Sequence, residues 1–314
     1  MKSYFAKPMP AERYRLMTIV AWWAQALIII TGAAVRLTDS GLGCENWPTC
    51  TEDRILPEMS YHAAIEFGNR MLSGFVAATV IAVIVGVSRL ETRRRDLEIL
   101  VWGLLIGVVG QIVLGRFVVS LDLNPVSVIG HFMLSVALLW LATRLVVGTN
   151  PTRRSPSAPS PDRLTRLLSR AVVGVGLAVI TLGTLVTGTG PNGGDVRADR
   201  LPFDLVSIVR IHAISAWILV ATVTALAIKL QQSPGPMLAR RGRLLLLLVL
   251  VQGSIGYIQY WKGVHPGLVI FHIAGAIGVW TLCVATEAEV NHKGLSETTP
   301  NTVSNGSKVD TIGL

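Results

Sequence analysis

Residues 127–148 read SVIGHFMLSVALLWLATRLVVG. The stretch is almost wholly apolar, with one charge (Arg144) toward its end and one histidine (His131) near its start. As a helix it is long enough to cross about 30 Å of hydrocarbon. A bilayer core offers no water to unpaired amides and carbonyls, so a spanning segment of this kind is helical. Seven further runs share its character, at 15–36, 63–89, 98–118, 167–188, 207–230, 244–261 and 266–288. The first is too long for a secretory signal core and ends on Arg36 without a cleavage motif, so it is expected to be a retained helix.

Composition agrees with a membrane protein. The chain is 51% hydrophobic and 15% charged, against about 25% charged in soluble domains, and its mean hydropathy is +0.55. The net charge of +9 could suggest nucleic acid, but the basic residues sit in short clusters between apolar runs, such as Arg93-Arg94-Arg95, Arg153-Arg154 and Arg240-Arg241-Gly242-Arg243. With the N-terminus inside, 20 of the 28 lysines and arginines fall on the inner side. That bias places both termini in the cytoplasm and removes the reason to invoke nucleic acid.

The chain also repeats itself. Asn69 followed by Ala78-Thr79 matches His212 followed by Ala221-Thr222 at an offset of 143 residues. Gln111, Gly115 and His131 match Gln252, Gly256 and His272 at an offset of 141. Four helices thus align with four in the same order and orientation, a parallel repeat. The expected fold is an all-α integral membrane protein of eight transmembrane helices in two pseudo-symmetric four-helix bundles. The N-terminal unit is 1–148, with an outer cysteine loop at 37–62. A Pro-, Ser- and Arg-rich cytoplasmic linker follows at 149–166, then the C-terminal unit at 167–288 and a polar, disordered tail at 289–314.

Histidine is rare in membrane helices and marks function there. His131, His212 and His272 each fall a few residues from the outer end of a span, at matched depth. Histidines on facing helices can clamp a planar metal cofactor, and two neutral imidazoles give a six-coordinate haem suited to electron transfer. His212 and His272 form the expected pair; the competing reading is a set of satisfied polar residues inside a bundle. Asn69 stands where the repeat calls for a fourth histidine, and an amide is a poor iron ligand.

Glu66 lies one turn before Asn69 and Arg70, while the second unit has Val209 at that place. A carboxylate inside a span is either an acid or base or the partner of Arg70 or Arg36. Arg36, Arg70, Arg116 and Arg210 lie near outer helix ends, as partners for haem propionates or as interfacial anchors. Cys44 and Cys50 share the outer loop, where a disulfide of structural or redox role is expected. Cys283 is expected to be a packing residue. His62, His265 and His292 receive no role. HExxH, GxxxxGK[ST], CxxCH and GxSxG are missing, which leaves metalloprotease, P-loop, covalent c-type haem and hydrolase readings unsupported.

The stretch Thr31-Gly32-Ala33-Ala34-Val35-Arg36-Leu37-Thr38-Asp39-Ser40-Gly41-Leu42-Gly43-Cys44, with Asn46-Trp47-Pro48-Thr49-Cys50, resembles the first outer loop of the haem A synthase family. Glu66-Phe67-Gly68-Asn69-Arg70 resembles that family's Glu-x-x-His-Arg motif, and His131, His212 and His272 stand where its other histidines would be. The resemblance implies oxidation of a haem O methyl group to a formyl group, through successive hydroxylations, to supply haem A to terminal oxidases. It implies haem b on His212 and His272, the substrate haem at Asn69 and His131, a catalytic role for Glu66, and the Cys44–Cys50 pair. The partners it implies are haem O, haem O synthase, cytochrome oxidase assembly and membrane lipid, with a homo-oligomer left open. Asn69 departs from the family's histidine. A branch with one axial ligand on substrate, an inactive variant, and substitution by His62 are the readings that follow. Outside the family, a b-type cytochrome acting only in electron transfer and a repeat-built transporter are the competing functions.

Overall fold

The computed structural model describes residues 8–44, 46–47, 49–51, 60–150, 161–232 and 236–291. Pro48 of the cysteine loop, Arg54, Arg153-Arg154 with most of the linker, and the tail beyond Asn291, including His292, lie outside the described residues.

The eight apolar runs are eight helices: α1 (Ala11–Leu37), α2 (Tyr61–Val87), α3 (Arg95–Ser120), α4 (Pro125–Gly148), α5 (Arg163–Thr189), α6 (Leu205–Gln231), α7 (Pro236–Trp261) and α8 (Pro266–Val290). All are long and apolar enough to cross a membrane. Their starts are written locally. Ser60, Asn124, Asp162, Asp204 and His265 each accept an amide of the first turn through the side chain, which satisfies donors that a helix leaves unpaired. Pro125 and Pro266 occupy the first turns of α4 and α8, where a missing N–H is harmless. Asp162 also pairs with Lys229 at 3.0 Å. Hydrogen bonds from the Thr165 side chain and amide, with that lysine, hold its carboxyl at about 2.

Most helix ends lie a few residues from the expected edges, and two of the early starts have a local cause. α5 begins at Arg163, inside the expected linker, because the Asp162 cap starts it there. α7 begins at Pro236 rather than 244, since its first two turns carry Arg240, Arg241 and Arg243. Charge excludes those turns from hydrocarbon but does not break a helix; arginine is a good helix former.

Within α1–α4 a buried cluster joins Tyr14, Val80, Val83, Val101, Leu104 and Leu145. Within α5–α8 a second joins Val172, Val223, Leu226, Leu245 and Cys283. A third, of Ala26, Ile29, Val136, Leu139, Ile277, Trp280 and Val284, lies between them where α1 and α4 meet α8. Polar contacts cross the same seam at three depths: Arg144 to Glu287 at 2.7 Å, Trp280 Nε1 to the Val136 carbonyl at 3.1 Å, and Gly41 N to the Gly194 carbonyl at 2.9 Å. Side chains such as Leu16, Ile106, Ile214 and Phe271 remain exposed on the outward faces, as lipid-facing positions would.

The connectors α3–α4 and α7–α8 are the same turn. Asp122 and Leu123 have φ of 48° and 59°, and Gly263 and Val264, 141 residues on, have 73° and 60°. Leu123 N reaches the Val118 carbonyl and Val264 N the Gln259 carbonyl, both at 2.9 Å. A β-branched valine at positive φ is uncommon, and this bond holds it.

Candidate functional site

The cysteine loop is fastened to the first turns of α2. Cys44 and Cys50 form a disulfide, buried against Ala63 and Phe67. The buried Glu66 carboxylate accepts the Cys44 amide at 2.8 Å and pairs with Arg70 one turn on. Arg70 also donates to the carbonyls of Asn46, at 2.7 Å, and Thr49, at 2.9 Å. Of the two cations expected for Glu66, Arg70 is the partner; Arg36 instead donates to the Thr187 and Pro191 carbonyls at the end of α5. The loop lies so close that a Cβ on Gly43 would stand 2.6 Å from the His62 carbonyl carbon. Arg116 of α3 sits over the Trp47 ring at 5.8 Å. Arg210 is exposed beyond the first turn of α6.

Asn69 Oδ1 accepts a hydrogen bond from Thr31 Oγ1 of α1 at 2.8 Å. Thr31 opens the Thr31–Cys44 stretch, and its contact with Asn69 is made across tertiary space. His62 does not take the place of Asn69: its Nδ1 is 3.0 Å from Ser40 Oγ, seven residues before Asn69, about 10 Å along the helix. An open cleft of about 390 Å³ on this surface is lined by Asp39, Leu42, Gly43, His62, Asp195 and Val196. None of the three span histidines lines it.

Those three histidines lie six or seven residues into α4, α6 and α8, at matched depth near 10 Å along each helix. His212 and His272 face each other with ring centroids 6.5 Å apart and planes at 75°. Two imidazoles bonded to one metal at about 2.0 Å each hold their ring centroids about 6 Å apart, so the pair fits a shared metal. The Nδ1 of His212 lies 3.1 Å from the Val179 carbonyl, and that of His272 lies 3.0 Å from Gln252 Nε2. Partners at Nδ1 are what orient an imidazole whose other nitrogen is a ligand. A Cβ on Gly183 or Gly256 would come 3.2 Å from the ring of His212 or His272. A Cβ on Gly115 would lie 3.5 Å from the His131 ring, an ordinary contact, and the His131 Nδ1 is buried without a partner among the described residues.

The model of the cytochrome oxidase assembly protein family (COX15-CtaA) matches residues 15–191. That is more than half of the chain. The chain belongs to this family. The cytochrome oxidase assembly family match covers α1 to the end of α5, and so takes in Cys44, Cys50, Glu66, Asn69 and His131. His212 and His272 lie beyond it. Among curated relatives, a heme A synthase of Geobacillus thermodenitrificans is 31% identical over 42% of this chain and 41% of its own length. A heme A synthase of Bacillus pumilus is 32% identical over 39% and 40%, and one of Alkalihalophilus pseudofirmus is 24% identical over 56% and 60%. The aligned part thus spans about two fifths of the first of these relatives.

Proposed function

We propose that this protein is a haem A synthase of the cell membrane, which oxidises a methyl group of haem O to a formyl group. The observation that carries the reading is the His212–His272 pair, 6.5 Å between centroids, in a member of the cytochrome oxidase assembly family. The α5–α8 unit would hold haem b on these two imidazoles, and α1–α4 would receive the substrate. The termini and the linker face the cytoplasm in this reading, and the cysteine loop faces outward.

Methyl to formyl is a four-electron oxidation that also adds one oxygen atom, so the reaction draws its oxygen from water or dioxygen and passes its electrons to an oxidant from outside the chain. A haem between His212 and His272 would supply one-electron transfer. His131 offers the substrate iron one axial imidazole. Asn69, tied to Thr31, offers no second. One weak axial bond suits a haem that must enter and leave. Glu66 and Arg70 hold the disulfide loop over the outer end of this unit, and the Glu66 carboxylate, bonded to the Cys44 amide, is the acid–base group of this reading. The haem O would come from haem O synthase and the product would pass to terminal oxidase assembly.

Haem extraction from membranes of a deletion strain, with and without the complementing gene, tests the reading. Haem O is expected to accumulate without the protein and haem A to return with it. Haem A at ordinary levels in the deletion strain would overturn the proposal. Reversible reduction of the purified protein with no effect on haem composition would instead support an electron carrier.

A further inference from the structure

In both units a glutamine of the third helix meets the histidine of the fourth, and what it does there differs. Gln252 Nε2 on α7 lies 2.6 Å from the His272 carbonyl and 3.0 Å from the His272 ring at Nδ1. Gln111 Nε2 on α3 lies 3.0 Å from the His131 carbonyl, but its second partner is Ser135 Oγ at 2.7 Å. The His131 Nδ1 is left buried and unpaired among the described residues.

Two adjacent positions account for the difference. At the offset of 141, Leu134-Ser135 becomes Gly275-Ala276. Ala276 has no hydroxyl to draw the amide away from the ring. Gly275 clears the space in which the amide sits: a Cβ there would stand 2.1 Å from Gln252 Oε1. In the N-terminal unit Leu134 stands at the place of Gly275, its Cδ2 3.2 Å from where a Cβ on Gly110 would be.

We infer that Gln252 is a positioning residue for the cofactor haem, acting on the iron through the His272 ring, and that Leu134-Ser135 withholds the same support from His131. The inference rests on the haem-ligand reading given above. The Gln252 amide lies within hydrogen-bond distance of both the His272 carbonyl and the ring at Nδ1, so it fixes how the ring is turned. Outer partners of this kind typically change metal affinity by about 10–100-fold. The two units therefore combine a firmly held haem with a loosely held one on the same helical frame.

Haemin titration of purified, haem-stripped protein tests this in a His131→Ala background, which leaves the C-terminal site. Gln252→Leu is expected to weaken haemin binding by about 10–100-fold. Ala276→Ser, a small change that supplies the competing hydroxyl, is expected to weaken it in the same direction. Gln252→Glu should restore binding and lower the midpoint potential, because a carboxylate pulls the Nδ1 proton and enriches the ring; a merely structural role would not move the potential. Unchanged affinity and potential in Gln252→Leu and Ala276→Ser would overturn the inference while leaving the haem site standing. A background protein that takes up no haemin would overturn both.

Discussion

The imidazoles of His212 on α6 and His272 on α8 stand nearly perpendicular, with centroids 6.5 Å apart, and each rests against a helical glycine whose Cβ would come 3.2 Å from the ring. Each has a partner behind it at Nδ1 and the other ring in front. His212→Ala is therefore expected to abolish the low-spin b-type absorption of the purified protein, and His131→Ala to retain it. A low-spin spectrum surviving in His212→Ala would refute the cofactor assignment.

Glu66 joins the cysteine loop to α2 through the Cys44 amide and Arg70. Glu66→Gln keeps the shape but takes the Glu66 charge away from the mostly buried Arg70 guanidinium. Hydrogen bonds to charged groups contribute about 1.5–3 kcal/mol, so thermal stability in detergent should fall by an amount of that order. The disulfide should also become easier to reach, and Cys44 and Cys50 should be reduced faster by dithiothreitol, read as thiol labelling over time. Wild-type reduction kinetics would remove Glu66 from any part in holding the loop.

How far the sequence could be read follows from where each feature is encoded. The spans are legible because each apolar run must pair its own backbone in lipid, and Asn124-Pro125 and His265-Pro266 are local start signals for α4 and α8. The start of α7 was not legible from hydropathy, since Arg240, Arg241 and Arg243 end the apolar run without ending the helix. The common turn of α3–α4 and α7–α8 was hidden as well: Asp-Leu and Gly-Val do not look alike, and the match lies in backbone torsions. At the site, the histidines, Glu66 and the cysteines stood out by type. Their partners did not, because Thr31, Val179 and the Cys44 amide reach them across tertiary space. Ser135 could have been found by carrying the offset of 141 four residues past His131 to Ala276.

Gly43 tests the fit between loop and helix. A methyl group there would meet the His62 carbonyl carbon at 2.6 Å and the Ala63 amide nitrogen at 2.8 Å. These are backbone atoms, which cannot rotate away. Gly43→Ala should cost about 1–3 kcal/mol of stability, as overpacking does, and release the disulfide much as Glu66→Gln does. Gly174→Ala on α5 is the contrast. Its Cβ would meet nothing within 4 Å, and exchanging helical glycine for alanine should stabilise by about 0.5–1 kcal/mol. Equal melting shifts in the two variants would disprove close seating of the loop.

Asn69→His restores the imidazole that the repeat calls for and gives up the hydrogen bond from Thr31. If His131 alone holds the haem of the N-terminal unit, a second axial ligand should raise the haem retained through purification and add a second low-spin component to the spectrum. Product release should slow in the same variant. An unchanged haem-to-protein ratio would show that position 69 does not face the iron.

Orientation can be read by labelling. The ends of the helices that carry the α2–α3, α4–α5 and α6–α7 connectors are dense in basic side chains and ion pairs: Arg93 with Glu98, Arg94 with Asp96, Arg144 with Glu287 and Arg241 with Glu289. The opposite ends hold the disulfide loop and the α5–α6 connector. The positive-inside rule puts the basic ends in the cytoplasm, and an oxidising exterior suits the disulfide. Val196 in the α5–α6 connector is 91% exposed, and Glu91 is exposed between α2 and α3. The native cysteines are silent, Cys283 being 1% exposed and the other two bonded to each other. A membrane-impermeant maleimide applied to cells whose membrane it can reach should label Val196→Cys and spare Glu91→Cys until the membrane is opened. The reverse pattern would invert the protein and put the cysteine loop in the reducing compartment, where its disulfide would not persist.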